Sequence, residues 1–202
     1  MKHLFPIAAA LLLGCQTALA APPIGSQAPA FSLPDANGKM VSLDQFKGKV
    51  VVLEWNNPGC PYVKKHYESG NMQKTQVAAR KDGVVWLSIN SGAAGQQGHM
   101  NGAQAKAFVA GQKAQPSAYL LDAQGVAGKR YGAVTTPHMY VIDKAGKLVY
   151  AGGIDDKATA NKGDIPGARN HVLAALGEIK AGKAVSVATS RPYGCSVKYA
   201  DG

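Results

Sequence analysis

The chain has 202 residues, of which 46% are hydrophobic and 17% charged, enough to bury the core of one globular domain. Its formal net charge is +10, but the basic residues are scattered instead of forming one dense run, which argues against nucleic-acid binding. The three cysteines include no C-x-x-C-H motif, and nucleotide fingerprints, phosphate loops and Ser-His-Asp spacing are also missing, so covalent haem and these site classes are excluded.

Residues 1–20 have a basic start, an apolar stretch and a small-residue end, the pattern of a secretory signal peptide. Ala18-Leu19-Ala20 fits the A-x-A cleavage pattern, and the alternative is a lipoprotein in which Cys15 is lipidated after cleavage. Both routes predict export, most simply to the periplasm. If Cys15 leaves with the signal, the exported chain keeps two cysteines, Cys60 and Cys195, in a compartment where disulfides form.

The next segment, residues 31–43, is predicted to be a hairpin whose Asn37-Gly38 dipeptide favours a two-residue primed turn. Short apolar runs then predict five strands, at residues 49–55, 84–90, 118–122, 138–143 and 147–151. Helical patterns lie between and after them, at residues 60–68, 72–81, 103–111, 126–131 and 168–181.

Strands that alternate with helices and end in an antiparallel pair predict an α/β fold with a mixed central sheet and helices on both faces. We expect one domain over residues 21–185, with the hairpin as an N-terminal extension. Residues 186–202 form a polar, turn-rich C-terminal tail that contains Cys195, and we expect this tail to be flexible.

Cys60 follows a buried strand and a polar turn, and it opens a helix with Pro61 in the first turn, where a missing N–H is tolerated. A cysteine at a helix N-terminus lies at the positive end of the helix dipole, which stabilises a thiolate and lowers the pKa of the thiol. The sequence therefore favours a reactive nucleophile at Cys60 over the alternative of a buried, inert cysteine.

Two stretches carry a resemblance to known proteins: APAFSLPDANGKMVSLDQFKGKVVVLEWNNPGC, and later Thr135-Thr136-Pro137-His138 before a strand. Through about Ile154 the chain resembles the redoxin branch of the thioredoxin-like fold, the alkyl hydroperoxide reductase and thiol-specific antioxidant group. The resemblance implies that Pro137 forms a cis-proline loop facing Cys60, and that Thr136 offers backbone hydrogen bonds to a bound thiol partner.

The chain departs from these families at three positions. Val63 stands where thioredoxins have the second cysteine of C-x-x-C. Asn57 replaces the threonine that typical peroxiredoxins carry three residues before the reactive cysteine, and Pro137 stands where they carry an arginine. Because that threonine and arginine bind and polarise the peroxide in such proteins, the departures weigh against efficient peroxide reduction.

The role of Cys195 stays open between several interpretations. As a resolving cysteine it would attack the sulfenate or mixed disulfide formed at Cys60. The alternatives are a static bridge that pins the tail, an intermolecular bridge, and two unpaired thiols.

Further residues are candidates for supporting Cys60. Trp55 is expected to pack beside the active turn and Tyr62 to shield the thiolate. Glu54 is a candidate proton relay, since a carboxylate in a buried strand is costly unless it is paired. His66 and His138 either assist proton transfer or are polar surface residues.

The sequence thus predicts an exported thiol oxidoreductase with antioxidant activity that needs no cofactor or metal. Its expected partners are an external thiol reductant and a small oxidant or disulfide substrate, with no nucleic acid and no particular oligomeric state. The alternative is a non-catalytic binding module of the same fold, either a copper carrier or an adaptor for a partner protein.

Overall fold

Nine short strands form among residues 21–200, the part of the chain that the computed structural model describes. The predicted signal peptide, residues 1–20, lies outside the described residues. The strands are β1 (Ser32–Pro34), β2 (Met40–Ser42), β3 (Val51–Trp55), β4 (Val85–Asn90), β5 (Ala118–Leu121), β6 (Thr135–Thr136), β7 (His138–Ile142), β8 (Leu148–Gly152) and β9 (Cys195–Ser196).

Five α-helices accompany these strands within the described residues. They are α1 (Pro61–Glu68), α2 (Asn71–Lys81), α3 (Gly102–Gly111), α4 (Val126–Tyr131) and α5 (His171–Lys180). Short 3-10 helices cover Leu43–Phe46 and Lys162–Gly167. None of the helices in residues 21–200 has the length and apolar character needed to cross a membrane.

Five strands build the central sheet in the order β5-β4-β3-β7-β8. The central strand β3 runs parallel to β4 and antiparallel to β7, so the sheet is mixed, as predicted. One apolar layer joins the sheet to α1, α2 and α5, and a second joins its other face to α4 and the β1–β2 hairpin. The α/β architecture with helices on both faces is therefore confirmed.

The hairpin turn differs from the expected two-residue form. The loop between β1 and β2 closes with a hydrogen bond from Asp35 N–H to the Lys39 carbonyl at 2.8 Å, which leaves three residues inside the turn. The Asp35 carboxylate captures the N–H groups of Asn37 and Lys39 at 2.8 and 2.9 Å. This local capture favours the longer turn, in which Gly38 adopts a φ of +82°.

The C-terminal tail is packed against the domain over its described residues, 186–200, instead of being loose as expected. Residues 188–190 run along β8, β9 pairs with β6, and Tyr199 donates its hydroxyl hydrogen to the Ala133 carbonyl at 2.7 Å. The tail therefore crosses the molecule as an ordered strap that is fixed at several points.

Glu54 forms a buried polar centre where β3 meets α1, α2 and β4. Its side chain is fully buried. Five donors surround the two carboxylate oxygens at 2.7 to 3.2 Å, and they come from Tyr67, Asn56, Gln76, Trp86 and Ser88. A buried carboxylate with this many donors links the strand that leads to Cys60 with the helix that follows it.

Glu54→Leu should lower the free energy of unfolding by at least about 3 kcal/mol, because several buried donors lose their acceptor together. Urea denaturation followed by tryptophan fluorescence measures this change. Glu68→Leu is the matched control, because Glu68 is exposed and forms only a surface ion pair with Lys162, so its loss should lower stability by no more than about 1 kcal/mol. Equal stability losses in the two variants would contradict the structural role of Glu54.

Candidate active site

Cys60 lies at the junction of β3 and α1, in a turn that is closed by Asn57. The Asn57 carbonyl accepts the N–H of Cys60 at 3.0 Å, and its side-chain Oδ1 accepts that of Gly59 at 2.9 Å. Pro61 takes the first helical position, so Cys60 is the N-cap residue of α1. The sulfur therefore sits at the positive end of the helix dipole, as the sequence predicts.

The Cys60 sulfur is fully buried, and the C-terminal tail contacts it. Its Sγ donates to the Thr136 carbonyl at 3.1 Å and accepts the backbone N–H of Cys195 at 3.4 Å. The Cys195 side chain lies close enough to the Cys60 sulfur for each thiol to affect the pKa of the other. The fold thus brings together two cysteines that are 135 positions apart in the chain, both present as free thiols.

The surroundings separate the acidities of these two thiols. Burial acts to raise the pKa of Cys60, but the hydrogen bonds to its sulfur, led by that from the Cys195 side chain, bring the pKa below its usual value. Burial, followed by the hydrogen bond and the charge of Cys60, raises the pKa of Cys195 to about 11. A single negative charge on the pair therefore belongs on Cys60, with Cys195 protonated.

Backbone pairing with the proline loop holds Cys195 in place. β6 and β9 are antiparallel, with Thr136 opposite Cys195 and Thr135 opposite Ser196. The Thr136–Pro137 peptide bond is cis, as the resemblance implies. The strand just before Pro137 thus binds an extended, cysteine-bearing segment, and in this structure the segment belongs to the same chain.

This close approach requires glycine at position 194. Gly194 has a φ of +133°, and a Cβ added there would lie 1.9 Å from the carbonyl oxygen of Thr136. Any larger residue would push the tail away from the proline loop. The Gly-Cys pair of the tail is therefore matched to the loop that it covers.

Two of the predicted supporting residues line this region. The Asn57 carboxamide also bonds Gln97 Oε1 at 3.0 Å, which ties the Cys60 turn to the glycine-rich loop after β4. The Tyr62 ring meets the ring of Tyr193, a tail residue, edge to face at 5.8 Å between centroids. Tyr62 therefore packs against the segment that covers Cys60.

Other predicted supporting residues are engaged elsewhere. Trp55 donates to Ser91 Oγ at 3.0 Å and packs against Tyr131 and Tyr140, on the opposite face of the sheet. His138 Nδ1 lies 3.1 Å from the Tyr140 hydroxyl, and Glu54 is held by its five donors. The hydrogen bonds described for these three residues all go to groups other than the two cysteines.

Sequence reasoning missed Tyr193 and its buried neighbours. Tyr193 donates its hydroxyl hydrogen to Asp155, and His66 Nε2 lies 3.0 Å from the hydroxyl oxygen of Tyr193. Lys65 Nζ is 3.7 Å from Asp155 Oδ2. His66 was expected to assist proton transfer at Cys60 or to lie on the surface, and it is instead buried beside the tail. Tyr193 stands two residues before Cys195, which is the one clue that the sequence offers.

Within residues 21–200, no three histidine, cysteine, aspartate or glutamate side chains come together in a way that would hold a metal ion. The chemistry visible at this site is that of two neighbouring thiols of unequal acidity.

The sequence matches the model of the AhpC/TSA family over residues 24–151. A provisionally assigned peroxiredoxin of Coxiella burnetii is 37% identical over 71 residues, which cover 33% of this chain and 44% of that relative. The aligned part is thus less than half of the relative's length.

Solved structures extend the likeness to nearly the whole chain. An uncharacterised conserved protein of Geobacillus kaustophilus superposes with a TM-score of 0.75 at 27% identity, over 89% of this chain and 94% of that one. The thioredoxin domain of a thiol-disulfide oxidoreductase from Bacteroides vulgatus gives a TM-score of 0.53 at 26% identity, over 65% and 89% of the two chains. The thioredoxin-like fold is therefore confirmed.

The buried histidines predict how stability depends on pH. Burial lowers the pKa values of His66 and His138 to about 4. Between about pH 6.5 and 4 the unfolded chain therefore binds protons at these positions that the folded chain does not, and stability falls as the pH falls through this window. Each histidine should contribute a slope of about 1.4 kcal/mol per pH unit.

Urea denaturation at pH 6.5, 5.5 and 4.5 measures this slope. His66→Gln should flatten it by the contribution of one histidine, and His66→Gln with His138→Gln by about twice as much. An unchanged slope in the double variant would show that these histidines are not held neutral in the folded protein.

Proposed function

The chain belongs to the AhpC/TSA family, and we propose that it is an exported thiol oxidoreductase in which Cys60 and Cys195 cycle between dithiol and disulfide. The observation that carries the proposal is the contact between the two cysteines. The Cys60 sulfur accepts the backbone N–H of Cys195 at 3.4 Å, so the two cysteines are neighbours in the folded chain. A family of thiol proteins, a thioredoxin-like fold and a second thiol beside the first all support this chemistry.

The two cysteines have different roles in this cycle. Cys60 is the nucleophile, because its lowered pKa and its place at the start of α1 favour the thiolate. Cys195, whose raised pKa keeps it protonated, is the resolving cysteine. It acts once Cys60 has lost its negative charge to the substrate, because the charge of Cys60 then no longer opposes its ionisation.

With a disulfide substrate, the Cys60 thiolate attacks one sulfur, a mixed disulfide forms, and the first substrate thiolate leaves. Cys195 then gives up its proton to solvent and attacks the Cys60 sulfur, which releases the second substrate thiolate. The substrate disulfide is thereby reduced to two thiols, and Cys60 and Cys195 are oxidised to one disulfide. Two external thiols complete the cycle, since they restore the dithiol while they are themselves oxidised to a disulfide.

The difference in exposure between the two cysteines determines which sulfur of the Cys60–Cys195 disulfide the external thiol reductant attacks. Cys60 is fully buried, whereas Cys195 is partly exposed. The reductant therefore attacks the Cys195 sulfur, and Cys60 departs as the thiolate. This direction is also favoured chemically, because the thiol of lower pKa is the better leaving group.

A disulfide suits the site better than a peroxide does. The strand before Pro137 already pairs with an extended, cysteine-bearing segment, which is the shape of a polypeptide thiol partner. The Asn57 carboxamide, which stands where peroxiredoxins have threonine, is bonded to Gly59 and Gln97. With a peroxide, the same cycle would pass through a Cys60 sulfenic acid, and Cys195 would displace water from it.

The proposal includes a division of the chain that matches these roles. Residues 1–20 direct export, residues 21–185 form the thioredoxin-like domain, and residues 186–202 supply the resolving cysteine. A periplasmic location follows from the leader pattern and is compatible with a cycling disulfide.

Cysteine variants test the cycle. Cys60→Ser should reduce turnover of glutathione disulfide, coupled to an external dithiol, to the uncatalysed rate. Cys195→Ser should instead accumulate one glutathione on Cys60, because no second thiol resolves the mixed disulfide. Intact-protein mass spectrometry after acid trapping detects this adduct as a mass increase of the single variant.

Hydrogen peroxide in place of glutathione disulfide distinguishes the two substrate classes. We expect slower turnover with peroxide for the parent protein. Turnover of glutathione disulfide by Cys60→Ser at the parental rate would contradict the proposal. Stoichiometric copper on the purified protein without any thiol turnover would instead favour a metal-carrying module.

A further inference from the structure

The tail packs directly against the buried sulfur of Cys60, so the position of the tail affects access to this sulfur. Cys60 has 0% exposure, and its Sγ accepts the backbone N–H of Cys195 at 3.4 Å. No substrate disulfide can meet the Cys60 sulfur while the tail holds this position. The reaction proposed above therefore needs a tail that places Cys195 accurately and also moves aside.

Three parts of the tail are fixed to the domain. Ser190 Oγ bonds the Tyr150 hydroxyl at 2.7 Å, beside β8. Beyond Cys195, the Tyr199 hydroxyl bonds the Ala133 carbonyl at 2.7 Å, next to α4. Between them lies Tyr193, whose contacts include the helix that begins at Cys60.

Tyr193 occupies a pocket, here called the Tyr193 pocket, that is formed by Tyr62, Lys65, His66 and Asp155. Tyr193 is only 7% exposed, and its hydroxyl donates to Asp155 Oδ1. The Lys65 ammonium lies 5.6 Å from the centre of the Tyr193 ring. The pocket therefore binds both the hydroxyl and the ring.

The hydrogen-bond partner of His66 Nδ1 determines the donor and acceptor roles in the Tyr193 pocket. The Asn71 amide donates to His66 Nδ1 at 2.8 Å, so the histidine carries its proton on Nε2. That Nε2–H then donates to the Tyr193 oxygen at 3.0 Å, while the Tyr193 hydroxyl donates to Asp155. Tyr193 is thus the middle member of a directed chain from histidine to carboxylate.

One face of α1 provides three of the four pocket residues. Tyr62, Lys65 and His66 are spaced i, i+3 and i+4, which places them side by side on a helix. The same helix starts at Cys60, two residues before Tyr62, and Cys195 lies two residues after Tyr193. The pocket therefore fixes the distance between the two cysteines through one rigid helix and one short tail segment.

The pocket also suits reversible release. Lys65 and Asp155 are 1% and 3% exposed, and they form a buried ion pair at 3.7 Å that the Tyr193 ring helps to cover. Buried charges lose hydration, and the loss is recovered when water returns. Departure of Tyr193 opens these charges to water, and their hydration offsets part of the free energy of the broken hydrogen bonds and ring packing. An apolar pocket would give no such compensation.

We propose that Tyr193 is a positioning residue for the two-cysteine reaction. When Tyr193 is bound in its pocket, Cys195 is held beside Cys60 and the Cys60 sulfur is buried. When Tyr193 leaves the pocket, the Cys60 sulfur becomes accessible to an external disulfide. This inference rests on the proposed function for its purpose. Its geometry, however, concerns only the tail and the accessibility of Cys60.

The test measures the alkylation rate of Cys60 by iodoacetamide at pH 7.5 in the full-length chain carrying Cys195→Ser, which leaves Cys60 as the reporter thiol of the domain. Adding Tyr193→Ala should raise the rate by more than about tenfold, because it removes both a hydrogen bond to a charged group, which is worth about that factor in an equilibrium, and the packing of the ring. Tyr193→Phe keeps the ring and should give a smaller increase. Peptide mass mapping assigns the label to Cys60.

Tyr199→Phe in the same background is the matched control. It removes another tail hydroxyl, on the other side of position 195, and because this hydroxyl bonds a neutral carbonyl, the alkylation rate should rise less than in Tyr193→Phe. Thermal unfolding of each variant shows that the domain is folded. If Tyr193→Ala does not fold, Tyr193→Phe alone decides the outcome.

Parental rates for the folded Tyr193 variants would overturn the inference, and so would an equal acceleration by Tyr199→Phe. In the chain with both cysteines, Tyr193→Ala should also shift the dithiol–disulfide equilibrium against dithiothreitol towards the dithiol, because Cys195 is held less closely. A changed alkylation rate with no disulfide in any variant would show that Tyr193 controls access to Cys60, but it would refute the two-cysteine cycle.

Discussion

The antiparallel pairing of Thr136 with Cys195 is the interaction on which the candidate site depends. It carries a cysteine from the end of the chain to the proline loop, and the proline loop faces the helix that begins at Cys60. Gly194 permits the approach, because no other residue leaves space for the Thr136 carbonyl. Although Val63 occupies the position of the second cysteine of a C-x-x-C motif, the tertiary structure places a second thiol, that of Cys195, beside Cys60.

The electrostatics of the pair follow from this placement. A cysteine at a helix start gains a stabilised thiolate, and the donors that the tail brings to the sulfur stabilise it further. The same contact makes Cys195 the weaker acid of the two. One interaction thus favours the negative charge on Cys60, keeps Cys195 protonated, and packs the tail against the Cys60 sulfur.

The parts of the site that were predictable are those encoded by neighbouring residues. The run of valines in β3, the polar turn and Pro61 place Cys60 at a helix start, and the structure confirms this local arrangement. The predictions were wrong where the local structure depends on a side-chain hydrogen bond or on a segment that is distant in the sequence. Asp35 captures two backbone N–H groups and lengthens the hairpin turn, which the Asn37-Gly38 pair alone does not reveal.

The packing of the tail was beyond sequence reasoning for a similar reason. Its residues are polar and show no periodicity, a pattern typical of a loose segment. What holds Tyr193 is a buried ion pair between α1 and the loop after β8, and neither partner lies near Tyr193 in the sequence. The placement of Trp55 on the far face of the sheet likewise follows from strand alternation combined with the layers on each side.

The central claim is that Cys60 and Cys195 form a reversible disulfide with each other. Its most direct test is a non-reducing peptide map of the purified protein, with thiols trapped in acid, before and after one equivalent of oxidant. A reversible disulfide would give a peptide linking Cys60 to Cys195 that appears on oxidation and disappears with a dithiol. Oxidation that leaves Cys60 free, or that links either cysteine only to another molecule, would contradict it.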